Sequence, residues 1–194
     1  MNIGLDIDNV ITDFDYMLLK EFLIADKMKR NSGIINPLAK HITSGMFDWS
    51  RDEIDDFFAN NMERIAKKLK LRRNCKKYMD LLLKDGHKLF LITHRAYPDY
   101  KTPEKTTLEW LKNKKINYTR LILSAKPDKT EECKKFNIDL MVDDRVSQCK
   151  IMKDCGVNAI VMLTRYNKKQ IGELPYAKSW ENLYSLISKY ESKI

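Results

Sequence analysis

The sequence predicts an α/β protein: a doubly wound parallel sheet with a small helical cap inserted after the first strand. Three observations carry that prediction. Short apolar runs near residues 2 to 7, 88 to 93, 120 to 124, 139 to 143 and 158 to 163 have the length and composition of buried strands. Helical patterns fill much of the space between them, and alternation of this kind implies right-handed crossovers between parallel neighbours. From Phe14 to about Leu71 the alternation stops. Two helical patterns there, roughly 15 to 30 and 51 to 68, flank a middle that contains Gly33, Pro37 and Gly45. The expected organisation is an α/β core of residues 1–13 and 72–194, with residues 14–71 as the cap.

The first strand reads Ile3-Gly4-Leu5-Asp6-Ile7-Asp8-Asn9-Val10. Alternate side chains of an extended strand share a face, so Asp6 and Asp8 project together while Ile3, Leu5 and Ile7 occupy the other side. Two carboxylates that close need a cation or a shared proton. A strand that merely runs out into an Asp-Asn turn would read the same way. The insertion follows at once, which would place it over the crevice as a lid. Its Phe47, Trp49, Phe57 and Phe58 have two readings: planes for a planar substrate, or the small segment's own core.

The second strand, Lys88 to Ile92, ends in Thr93-His94-Arg95, a hydroxyl followed by two groups that can carry positive charge. Pro103 opens a helix over Glu104 to Lys115, with Leu108 and Leu111 as its apolar spacing. The fourth strand, near 139 to 143, ends in Asp143-Asp144 and is flanked by helical patterns at Lys129 to Phe136 and Ser147 to Asp154, the latter ended by Gly156. Ser179 caps a final helix that packs Trp180, Leu183 and Ile187. Polar chemistry therefore stands at the C-terminal end of three apolar strands. In a parallel sheet those ends converge on one ligand-binding crevice.

Composition narrows the class. With 194 residues, 43% of them hydrophobic, the chain can bury a substantial core. No stretch approaches the roughly 20 continuous apolar residues of a membrane span. The N-terminus carries strand residues and acids where a secretory signal needs a basic region, so a cytoplasmic protein is expected. Cys75, Cys133, Cys149 and Cys155 show no CxxC spacing and read as reduced thiols, not as a zinc site. The formal charge of +9 admits nucleic acid as a partner, but the lysines fall on helix faces and in turns without an arginine-aromatic stripe. A solvated surface that attracts an anionic substrate is the favoured reading. Oligomeric state has no signature in the sequence.

In their order and strand-end positions, Asp6-Ile7-Asp8, Thr93, a lysine near the fourth helix and Asp143-Asp144 resemble the four motifs of the haloacid dehalogenase superfamily of phosphotransferases. More narrowly, Ile92-Thr93-His94-Arg95, Thr107-Leu108-Glu109-Trp110-Leu111, Ile116-Asn117-Tyr118 and Asp128-Lys129-Thr130-Glu131-Glu132-Cys133 are similar to the cytosolic 5'(3')-deoxyribonucleotidase family and its bacterial relatives. The resemblance implies a Rossmann-like core and a Mg2+-dependent phosphatase. Asp6 would be the nucleophile and Asp8 the general acid and base. Mg2+ would be held by Asp6, the backbone carbonyl of Asp8 and Asp143, with Asp144 orienting that shell or binding a metal water.

Thr93 and a lysine would stabilise the phosphoryl oxygens. Lys129 fits the family's Asp-Lys pattern, while Lys126 follows the third strand directly. His94 and Arg95 would bind phosphate or a substrate hydroxyl, or Arg95 would pair with a carboxylate. Phe47 and Trp49 would receive a nucleobase. The implied substrate is a deoxyribonucleoside monophosphate; another small phosphoester, a nucleic-acid 3'-phosphate, or an idle binding protein of the same fold are the alternatives. Intact Asp6 and Asp8 argue against the idle version. Asn9 stands where the family usually has glycine, and asparagine tolerates left-handed backbone better than most residues.

Overall fold

The computed structural model describes residues 1 to 191. In chain order its elements are β1 (Asn2–Leu5), α1 (Phe14–Lys29), α2 (Arg51–Lys68), α3 (Cys75–Lys84), β2 (Lys88–Thr93), α4 (Pro103–Lys114), β3 (Arg120–Leu123), α5 (Thr130–Lys135), β4 (Leu140–Asp143), α6 (Val146–Asp154), β5 (Asn158–Met162), β6 (Tyr176–Ala177) and α7 (Trp180–Glu191). The six strands form one parallel sheet in the order β3-β2-β1-β4-β5-β6. The expected α/β, doubly wound class is therefore the observed one. No helix among the described residues is long and apolar enough to cross a membrane.

Strand order fixes where chemistry can occur. The chain leaves β1 toward β2 and β3 on one side and later returns to its other side as β4, so the order reverses between β1 and β4. Crevices outside the strand ends form at such reversals. The strands there are buried on both faces: Ile3, Leu5, Leu89, Leu91, Ile92, Met141 and Val142 are all fully enclosed. That is why these runs read as continuous apolar stretches, without polar alternation. One face packs Phe90, Ile92, Met141 and Val161 with Cys133, Val146, Cys149 and Met152 from α5 and α6.

Three features depart from the expected elements. β1 ends at Leu5, two residues early, because the chain turns: the amides of Ile11 and Thr12 both donate to the carbonyl of Ile7 at 3.0 Å. α3 lies outside the expected helices, although Cys75, Tyr78, Met79 and Leu82 recur at i, i+3, i+4 and i+7 and are buried. β6 is two residues long, below any readable periodicity. It exists by pairing Val161 with Tyr176 and Met162 with Ala177.

The chain divides into two compact units. The first holds Met1–Thr12, Leu71–His94 and the chain from Lys115 on; the second holds Asp13–Lys70 together with Arg95–Lys114. α4, expected as part of the sheet-bearing core, thus groups with α1 and α2. Within the second unit Trp110 donates its indole N–H to the Leu69 carbonyl at 3.1 Å, and Thr102 donates its hydroxyl to Glu63 at 2.8 Å. Ser50 and Glu53 form a capping box that fixes the start of α2. The interior is an aromatic cluster. Phe22 lies 4.3 Å from Phe57, 4.9 Å from Trp49 and 5.6 Å from Phe47, ring centre to ring centre.

Candidate active site

The site belongs entirely to the first unit and follows from sheet register. Leu5 pairs with Val142 on one side and with Leu91 on the other. The next residue on β1's path, Asp6, continues that ladder by donating its amide to the Val142 carbonyl at 2.9 Å. This sets Asp6 beside Asp143, the last residue of β4, and places it in the same row of strand ends as Thr93, the last residue of β2. Register thus brings Asp6 and Asp143 together and puts Thr93 at the same edge of the sheet.

Lys129 joins them from the residue preceding α5. Its Nζ lies 2.7 Å from Asp6 Oδ1 and 2.7 Å from Asp143 Oδ2, and the side chain is 3% exposed. The local sequence Asp128-Lys129-Thr130 explains the placement. Asp128 Oδ1 accepts the amide of Thr130 at 2.9 Å and its hydroxyl at 2.6 Å, a turn that starts the helix and fixes Lys129. Those Thr130 bonds hold the Asp128 carboxyl below its ordinary range. Lys126, the other candidate, is 73% exposed and meets only Glu131, at 4.0 Å, among the ion pairs of the described residues.

Asp143 is held at both oxygens: Oδ2 by Lys129 and Oδ1 by the amide of Arg145, at 2.9 Å. Arg145 braces the acidic pair through this backbone N–H, while its side chain is exposed. Asp144 is buried beside it, its Oδ2 accepting from Asn9 Nδ2 at 2.9 Å and its backbone carbonyl from Asn167 Nδ2 at 2.8 Å. Oxygens of Asp6, Asp143 and Asp144 all lie within 4.8 Å of one another.

Three buried carboxylates thus face one ammonium, an imbalance that shifts the ionisation of Asp6 and Asp144. Burial pushes the Asp6 carboxyl up to about 6, Lys129 pulls it back, and Asp143 and Asp8 raise it further. Asp144 is driven well above the carboxylate range by burial, then by Asp143 and Asp6. Burial opposes a charged Lys129, yet Asp143 and Asp6 outweigh it and hold the ammonium above its usual pKa. One ammonium does not balance three carboxylates, and the set would accept a further cation. The donors are all hard carboxylate oxygens, which suit Mg2+ or Ca2+ and not zinc. Among the neighbouring thiols, burial pushes Cys133 up to about 12, which removes it as a nucleophile.

The remaining sequence candidates fall differently. Asp8 lies in the turn after Asp6 and not on the strand, so the expected alternation does not pair the two; its charge still reaches Asp6. His94, half-buried, has Nδ1 3.0 Å from the Ser124 carbonyl. Arg95 belongs to the second unit, where its guanidinium donates to Thr107 Oγ1 at 3.1 Å, stacks 5.6 Å from Tyr100 and is 2% exposed. Phe47 and Trp49 take the second of their two readings. Both are buried in the unit's aromatic cluster, and the Trp49 indole N–H is bonded to Asp26 at 2.9 Å. The expectation of a free face for a nucleobase is corrected on that ground.

Two residues of the site, Asn167 and Tyr166, carry no motif signal in the sequence. Both lie in the turn after β5 and reach the site only through the fold.

Comparison with known proteins agrees with this geometry. Residues 1–193 match the family described as "5' nucleotidase, deoxy (Pyrimidine), cytosolic type C protein". A relative from Chlorobaculum tepidum, named "Putative 5'(3')-deoxyribonucleotidase", is 23% identical over 195 residues, which cover 97% of this chain and 90% of its own. Two solved structures share the fold at low identity. A HAD family hydrolase from Deinococcus radiodurans, crystallised with phosphate and sodium, aligns at TM-score 0.64 and 8% identity over 98% of this chain and 96% of its own. A hydrolase from Pseudomonas syringae aligns at TM-score 0.60 and 16% identity over 97% and 98%. With its acidic strand ends and buried lysine, the chain belongs to the cytosolic type C 5'-nucleotidase family and is a nucleotidase-like phosphatase built on the haloacid dehalogenase fold.

Proposed function

We propose that this chain is a Mg2+-dependent nucleotidase that hydrolyses pyrimidine deoxyribonucleoside monophosphates through an aspartyl-phosphate on Asp6. One observation carries the reading: Lys129 lies 2.7 Å from both Asp6 and Asp143 inside a cluster of three carboxylates that a single ammonium does not neutralise. Asp6, Asp143 and the backbone carbonyl of Asp8 would hold the metal, with Asp144 orienting that set. When bound, the cation offsets negative charge so that a carboxylate can approach a phosphate dianion.

Asp6 attacks phosphorus with one carboxylate oxygen, forming an O–P bond while the ester P–O bond breaks opposite it. Asp8 gives its proton to the departing nucleoside oxygen. It then takes a proton from the water that attacks the aspartyl-phosphate, releasing inorganic phosphate and restoring Asp6. Thr93 donates its hydroxyl to a phosphoryl oxygen and Lys129 supplies fixed positive charge, donors set before the reaction begins. His94 is a substrate contact at the end of β2.

These groups handle phosphate and are indifferent to base and sugar. Substrate choice is therefore assigned to the cap, residues 14–71, by side chains other than Phe47 and Trp49. The reading is tested by phosphate release from a panel of phosphomonoesters with Mg2+ and with EDTA. Deoxyuridine and thymidine monophosphates should exceed sugar phosphates in kcat/KM by about tenfold or more, a margin that contacts to base and sugar can supply. Equal turnover of all, or hydrolysis of sugar phosphates alone, would reject the nucleotidase assignment and leave only a phosphatase.

A further inference from the structure

The turn after Asp6 contains a residue whose side chain ties it to the second acidic pair. Asn9 has φ of 62°, a left-handed conformation that glycine adopts without steric cost. Asparagine tolerates that conformation, as Asn31, Asn74 and Asn137 do in this chain, so what sets Asn9 apart is what its side chain touches. Its Nδ2 donates to Asp144 Oδ2 at 2.9 Å and to the Tyr166 hydroxyl oxygen at 3.3 Å. The two N–H groups of one carboxamide thus join the first acidic turn to the second acidic pair and to the turn after β5. The residue itself is enclosed at 9% exposure.

The Asn9 backbone is fixed as firmly as its side chain. Arg72 donates Nη1 to the Asn9 carbonyl at 2.6 Å and Nη2 to the Leu163 carbonyl at 3.1 Å. Asn167 completes the frame from the far side. Its Nδ2 donates to the carbonyls of Asp144 and Met162 at 2.8 and 2.9 Å, while its Oδ1 accepts the Thr164 amide at 2.9 Å. Asp144 is consequently held at its carboxylate by Asn9 and at its main chain by Asn167. Asp143 takes its support from the Lys129 ammonium and the Arg145 backbone amide, whereas Asp144 takes it from the side-chain amides of Asn9 and Asn167.

We propose that Asn9 is a positioning residue of the metal centre, its carboxamide fixing the orientation of the Asp144 carboxylate toward the cation. The role rests on the metal reading given above and goes beyond it by assigning the support to a side chain outside the proposed ligand set. A neutral N–H donor suits this role because it orients a carboxylate while leaving the charge of that carboxylate for the metal. Outer partners of this kind typically change metal affinity by about 10- to 100-fold when removed.

Asn9→Gly separates side chain from backbone, because glycine retains the left-handed turn and loses only the carboxamide. Mg2+ binding is measured by titration calorimetry on metal-stripped protein, alongside the melting temperature without metal. Asn9→Gly should weaken Mg2+ binding about tenfold or more while moving the metal-free melting temperature by no more than about 2 °C. Added to Asp144→Asn, the same change should cost less than about threefold, since its target is already altered. Mg2+ affinity of Asn9→Gly within about threefold of wild type, or a loss undiminished beside Asp144→Asn, would overturn the role of Asn9 alone. A wild type that takes up no Mg2+ would overturn the metal reading and this role with it.

Discussion

Two buried carboxylate settings in this molecule solve opposite problems. In the second unit Asp26 is 1% exposed, and among the described residues its oxygens accept from neutral donors: the Trp49 indole N–H at 2.9 Å and the Gly33 amide at 2.7 Å. In the first unit Asp6, Asp143 and Asp144 are similarly buried, yet three acids share one lysine, and burial and mutual repulsion raise the pKa values of Asp6 and Asp144. A buried acid whose lone pairs are matched by local donors fixes a fold, here the junction between α1, its following loop and Trp49. Buried acids in excess of their cations leave charge uncompensated, and a divalent ion can draw on it.

The sharpest way to break that contrast is to remove charge on each side. Asp6→Asn should lower phosphatase kcat by about a thousandfold or more while the protein stays folded by circular dichroism, since the amide keeps the shape and relieves repulsion. Activity near wild type would remove Asp6 as nucleophile.

Lys129→Ala should reduce kcat/KM by roughly 100-fold, whereas Lys126→Ala, at an exposed position, should stay within about twofold. The reverse ranking in steady-state assays would transfer the role to Lys126.

On the structural side, Asp26→Ala should destabilise by about 3 kcal/mol, because it strands the buried Trp49 indole N–H and the half-buried Gly33 amide, and lower the melting temperature by roughly 10 °C. Calorimetric Mg2+ affinity should be unchanged. A lost metal site in a folded Asp26→Ala protein would blur the distinction.

A smaller effect sharpens the comparison through pH. The Asp6 carboxyl sits near 6 when folded, above its unfolded value of 3.8, so the folded state binds this proton more tightly. Its contribution therefore favours folding at low pH and is lost as pH rises from about 4 through 6. In EDTA the first unit should gain a few degrees of melting temperature between about pH 7.5 and 5.5, and Asp144→Asn should shrink that gain. Mg2+ should reverse the sign, because protons then compete with the metal. Scanning calorimetry at the two pH values, with and without Mg2+, reads both; an identical pH response with and without metal would contradict a surplus of buried negative charge.

The strand ends are legible in the sequence because two kinds of signal coincide there. An apolar run of strand length is one, and polar groups placed where strands disfavour them is the other. That coincidence picks out Asp6, Asp143 and Thr93 before any coordinates. Lys129 is separable from Lys126 only through the Asp128-Lys129-Thr130 pattern, whose physical content is the Asx turn that starts α5. The i, i+3, i+4, i+7 spacing of α3 is present but confined to a helix of 10 residues, whereas the two residues of β6 offer no period to read. Arg95 follows Thr93 closely in sequence, yet it falls in the second unit, where Thr107 and Tyr100 meet its guanidinium. Asn167 and Tyr166 reach the site through tertiary packing alone.

The central claim is that phosphate passes through Asp6. Rapid acid quench of the wild-type protein with Mg2+ and a phosphorus-32-labelled aryl phosphate, followed by peptide mapping, tests it most directly. Hydroxylamine-labile label is expected on the peptide containing Asp6, more of it in Asp8→Asn, where water activation is impaired, and none in Asp6→Asn. Turnover with no protein-bound label in either wild type or Asp8→Asn, or label on a different residue, would contradict it.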